Sequence, residues 1–95
     1  MEEKLLLNIR DCIVDIYVPD GRNNYQQSVR LDINGSRVVR AHNMERDCNE
    51  IKIWVDLPFE MEGVRSHEDE VRISRFMGCN VEIYEHNPQQ PIKGV

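Results

Sequence analysis

Ile51, Ile53, Val55 and Leu57 alternate with Lys52, Trp54 and Asp56, which is the two-residue period of a strand with one buried face. This period constrains the chain most, because a helix cannot gather residues spaced by two onto one side. Pro58 stops the ladder. The same period recurs on both sides of Asn34-Gly35, a dipeptide whose residues accept the positive φ of a tight hairpin turn. A two-residue turn there sets Ile33 opposite Ser36, Asp32 opposite Arg37, Leu31 opposite Val38 and Val29 opposite Arg40. Val29, Leu31, Ile33 and Val38 then face the core, and Ser28, Arg30, Asp32, Arg37 and Val39 face away.

The N-terminal segment alternates in two opposite phases. Leu5, Leu7 and Ile9 share one parity, and Cys12, Val14, Ile16 and Val18 share the other. A bulge near Arg10-Asp11 reconciles them by re-aiming the strand. Pro19-Asp20-Gly21 ends that strand as a turn.

Two readings compete for Ser66 to Tyr84. Ser66 and Asp69 resemble a capping box, which makes a helix over 66–77 the alternative, within an α+β fold. Against it, Val71 and Ile73 alternate with Arg72 and Ser74, and Val81 and Ile83 with Glu82 and Tyr84. An internal comparison favours strands. Ile16-Tyr17-Val18-Pro19, Val29-Arg30-Leu31, Gly35, Val38 and His42-Asn43 are echoed by Ile53-Trp54-Val55, Pro58, Val71-Arg72-Ile73, Gly78, Val81 and His86-Asn87.

The expected fold is therefore all-β and mainly antiparallel: a small β-sandwich or partly open barrel of six to seven strands, built of two similar three-stranded halves. Residues 1–87 form the single domain. Residues 88–95, with Pro88, Pro91 and Gly94, form an extended or disordered tail. A chain of 95 residues has room for one core only.

Charge and cysteine usage bound the function. A net charge of -5 repels polyanions and anionic membranes, so nucleic acid is an unfavoured partner. Arg30, Arg37 and Arg40 crowd the hairpin, with Arg46 and Tyr25 near, so an RNA-binding surface is the alternative. The apolar run after Met1 is too short for a leader or a membrane span, and Cys12, Cys48 and Cys79 are odd in number and widely spaced. A cytoplasmic protein with reduced thiols is expected.

No catalytic residue emerges, because no cysteine lies in a local signature beside His42, His67 or His86. The glycines stand singly, without a phosphate cradle, and no cofactor is expected. His42, Cys48, Cys79 and His86 are spaced more loosely than structural zinc ligands, so no metal is expected either. Trp54 and Tyr84 are different: each projects from the polar face of its strand, flanked by charge, as interface anchors do. Tyr17 holds the place of Trp54 in the internal comparison. Glu60, Glu62, Glu68, Asp69 and Glu70 cluster in an expected loop, Phe59 to Asp69 and its end, which suits a basic partner.

The expectation is a non-enzymatic protein-interaction module, a stoichiometric inhibitor or adaptor acting on a larger protein, with one that handles nucleic acid as a candidate. Its partner-binding residues would be Trp54, Tyr84, Tyr17, Glu60, Glu62, Glu68, Asp69 and Glu70. Self-assembly through an open strand edge is the structural alternative.

Overall fold

The computed structural model describes residues 3–20, 30–64 and 66–86. Val29, Ser28, Tyr25 and the tail from residue 87 onward lie outside these. The described chain is all-β. Strands β1 (Leu5–Pro19), β2 (Arg30–Ile33), β3 (Ser36–Asp47), β4 (Glu50–Gly63) and β5 (Glu70–Glu85) form one sheet, and β5 returns to β1 to close a ring. No helix forms at 66–77. Pairing to β1 of the whole span from Glu70 to Tyr84 satisfies backbone groups that a helix would have satisfied internally.

Among the described residues there are five strands, where six to seven were expected, because two expected breaks are bends within continuous strands. At the first, the register slips between Ile9 and Cys12, with Asp11 at φ 52°. That is the bulge expected near Arg10-Asp11. Across from it Gly78 adopts φ 68°, with Asp11 Oδ1 3.9 Å from where a β-carbon would sit, so β5 bends beside β1. The two strands curve together, and the seven segments read from the sequence become five strands.

Four of the five pairings are antiparallel, as expected, but β4 and β5 run parallel from Glu50 beside Asn80 to Val55 beside Glu85. Parallel neighbours need a long connection between their paired parts. Residues 56–79 supply it, as the second half of β4, a turn and the first half of β5.

The hairpin register is the expected one at its tip, where Asp32 pairs with Arg37 and Ile33 with Ser36. Gly35 at φ 83° and Asn34 at φ 50° make the turn. Asn34 also binds β1: its backbone N–H donates to Ile13 O, and its side-chain oxygen accepts from Ile13 N. Leu31, Ile33 and Val38 point inward as expected, joined by Cys12, Val14, Ile16 and Val18 of β1, Ile51, Ile53 and Val55 of β4, and Cys79, Val81 and Ile83 of β5. Each buried Val or Ile contributes about 1.5–3 kcal/mol, and strands contributing alternate residues fill the ring from every side.

Near the N-terminus the shared phase of Leu5, Leu7 and Ile9 points inward at Ile9 alone. Leu5 and Leu7 are exposed, while Leu6 and Ile9 pack against the core. A register slip between Leu5 and Leu7 turns Leu6 inward. Val71 and Ile73, though on a strand, are also exposed. Among the described residues the Glu70–Met77 part of β5 pairs only with β1, so no neighbouring strand covers its other edge.

Candidate functional site

The outer face of the ring carries two distinct side-chain assemblies. The first lies on β4 and β5, where the parallel register sets Trp54 beside Tyr84. Their rings stack with centroids 5.8 Å apart, both half-buried. Trp54 Nε1 donates to Glu3 Oε2 at 2.8 Å, and the Tyr84 hydroxyl donates to Glu82 at 3.0 Å. Lys52 Nζ sits 5.9 Å from the Tyr84 ring centre. Burial, the acceptor Glu82 and the nearby negative charges of Glu82 and Glu3 push the Tyr84 phenol up, which keeps it a neutral donor. Leu5, 49% exposed, is the residue opposite Tyr84 on β1.

One step further along the same strands, three more side chains meet. Ala41 pairs with Val55 and Asn43 with Trp54, so His42 is the extra residue of a bulge in β3. On β4, the four residues Asp56 to Phe59 stand against the single residue Arg40, which adopts φ 66°. Pro58 lies in this excursion, so the ladder is interrupted there as the sequence implies, but β4 resumes pairing at Glu60. His86 follows the last residue of β5, and its backbone N–H donates to Val55 O at 2.8 Å. The outcome is a stacked pair, His42 on His86 at 3.7 Å, with His42 Nδ1 3.8 Å from Asp56 Oδ2.

The second assembly begins as a row across four strands. Arg75 of β5 is paired with Asp15 of β1, Asp15 with Asp32 of β2, and Asp32 with Arg37 of β3. Arg75 grips Asp15 through Nε at 2.7 Å and Nη2 at 3.0 Å. These hydrogen bonds, against some opposition from burial and with help from the Arg75, Arg72 and His67 charges, hold the Asp15 carboxyl below the usual range.

The turn between β4 and β5 folds back over the row. His67 stacks on Tyr17 at 3.6 Å, and its Nε2 donates to Asp32 Oδ2 at 2.7 Å. Its Nδ1 lies 3.1 Å from Glu70 Oε1 and 3.0 Å from Arg37 Nη2. A protonated Nδ1 donates to Glu70, and a bare one accepts from Arg37. Asp32 is thereby sealed at 2% exposure, and its Oδ1 faces Arg37 Nε across 3.9 Å, too far for a hydrogen bond. Burial alone would raise Glu70, but hydrogen bonds from His67 and Arg37 and the Arg37 and Arg30 charges together hold its carboxyl low.

The sequence-derived site residues thus separate into groups. Trp54 and Tyr84 come together, whereas Tyr17 stands apart, under His67. The expected acidic loop is not one loop: Glu60 and Glu62 belong to β4, Glu68 and Asp69 to the turn, and Glu70 opens β5. The first four are exposed, but Glu70 is paired to Arg37 and Arg30. That pairing also commits two of the arginines that could have faced RNA. His42 and His86 converge, while Cys48 is exposed in the β3–β4 turn and Cys79 is buried beside Cys12.

Sequence reasoning missed the burial of Asp15 and Asp32 and the role of His67. Asp32 and Arg37 were readable as a cross-strand pair, but nothing local says that a turn thirty-odd residues away covers them. Compared with known proteins, the chain matches no protein-family model, no curated protein and no solved structure. No helix is long and apolar enough to cross a membrane among the described residues.

Proposed function

We propose that this domain is a non-enzymatic binding module that docks on another protein through the outer face of β4 and β5. The observation that carries the reading is the Trp54–Tyr84 stack, two large half-buried aromatics side by side between charged and polar neighbours. Aromatic side chains in that setting supply contact area at low entropic cost, and the charged surround excludes wrong partners. Glu60, Glu62, Glu68 and Asp69 are exposed acids that favour a basic partner, including one that handles nucleic acid. An inhibitor or adaptor fits this description. Three unpaired cysteines accord with a reducing compartment such as the cytoplasm.

The test is capture from an extract of the native host by the wild-type chain, by Trp54→Ala and by Tyr84→Ala, with far-ultraviolet circular dichroism confirming the fold. Capture lost in both folded variants supports the reading. Equal capture by all three removes it.

A second reading, self-assembly, is favoured by the Glu70–Met77 edge of β5, which no strand pairs among the described residues. Val71, Ile73 and Met77 there are 43%, 57% and 63% exposed. An unpaired edge beside apolar side chains is a template for another strand. Sedimentation of the wild type against Ile73→Lys separates this reading: an oligomer that the lysine dissolves supports it, and a monomer at all concentrations refutes it.

A further inference from the structure

We propose that His42, Asp56 and His86 form a binding site for a divalent first-row transition ion of the zinc or nickel kind. One ligand atom from each of the three lies within 4.8 Å of the others. Two ligands bonded to one ion at about 2.0–2.1 Å stand about 3.4 Å apart in a tetrahedron and about 4.1 Å apart at most. The 3.8 Å between His42 Nδ1 and Asp56 Oδ2 is too long for a hydrogen bond but falls inside that span. The stacked imidazoles must turn edge-on to the ion, and closing the triad takes movements of about 1 Å. Both rings hydrogen-bond to no described residue, and the side chains of His42 and Asp56 are 41% and 50% exposed, so little holds them back.

Backbone features build this convergence. His42 is there because β3 bulges, Asp56 because β4 departs from the ladder, and His86 because its N–H extends the parallel ladder to Val55. Bulges of this kind re-aim side chains and gather beside sites. Two imidazoles and a carboxylate are donors of borderline hardness, which take zinc, nickel, cobalt or copper in preference to magnesium or calcium. Three protein ligands leave a position open to solvent, on the same face as Trp54 and Tyr84.

The test uses the untagged full chain carrying Cys48→Ser, so that the exposed thiol does not compete for metal. Zinc titrated calorimetrically should bind with one equivalent per chain, and magnesium should give no saturable heat. His42→Ala, His86→Ala and Asp56→Asn, each checked for native circular dichroism, should weaken zinc at least about tenfold, as loss of even an outer-shell partner can. Cobalt should report nitrogen and oxygen ligation without a thiolate charge-transfer band. Zinc binding unchanged in His42→Ala and His86→Ala, no zinc binding by the parent chain, or magnesium binding as well as zinc would each overturn the assignment. Trp54→Ala should leave zinc binding intact, which keeps this result distinct from loss of the protein-docking role.

Discussion

Replacing His67 with alanine removes the one side-chain hydrogen bond that the Asp32 carboxylate makes among the described residues, together with the ring that covers Tyr17. The Asp32 side chain is 3% exposed, and what remains near it is Arg37 Nε at 3.9 Å. Removing one partner of a buried pair costs about 3–5 kcal/mol, because the other charge stays behind in a poor solvent. The His67 side chain is itself 16% exposed, so water enters the vacated space and the lower end applies. We expect a loss of about 3 kcal/mol, a large part of the roughly 5–15 kcal/mol that a domain has. For a chain of this length that lowers Tm by roughly 12–24 °C.

The paired change Asp32→Asn with His67→Ala should recover about half of the loss, since a buried amide is cheaper to strand than a charge. Urea and thermal unfolding of the four proteins, followed by circular dichroism and Trp54 fluorescence, complete the cycle. A His67→Ala protein within about 1 kcal/mol of wild type would mean that the turn between β4 and β5 does not seal Asp32 in solution, and the buried network would have to be abandoned.

Acid and thiol chemistry give two further checks. Asp15 and Glu70 are both held below their unfolded carboxyl range, so their stabilisation is whole above the unfolded value of about 4 and is lost as pH falls through the lower folded values. The urea midpoint should therefore drop between about pH 4 and pH 2, and less steeply in Arg75→Ala; a midpoint that rises on acidification contradicts this. Cys12 and Cys79 are fully buried, which pushes both thiols up, whereas Cys48 is exposed. Ellman's reagent should label one thiol rapidly in the native protein and all three in urea, and rapid labelling of a second native thiol counts against the packed β1–β5 seam.

Much of the ring could be read from one dimension. Period-two burial at Ile51, Ile53 and Val55, the Asn34-Gly35 turn with Asp32 against Arg37, and the phase slip at Arg10-Asp11 are consequences of side-chain alternation and turn stereochemistry within a few residues, and these stand in the folded chain, whereas Leu57 of the same alternation is 50% exposed where β4 leaves the ladder. The outward projection of Trp54 and Tyr84 follows from the same parity. What lay beyond that reach depends on which strands become neighbours. The parallel contact of β4 with β5 sets Trp54 on Tyr84; the ring closure and the bulges of β3 and β4 bring together His42 of β3, Asp56 of β4 and His86 just past β5; and the fold of a distant turn decides that Asp32 is buried under His67 while Glu68 stays in water. Alternation tells each strand which side is inward, but pairing energies are so alike from one apolar strand to the next that only the closing of the whole sheet selects the neighbours, and with them the outer-face chemistry.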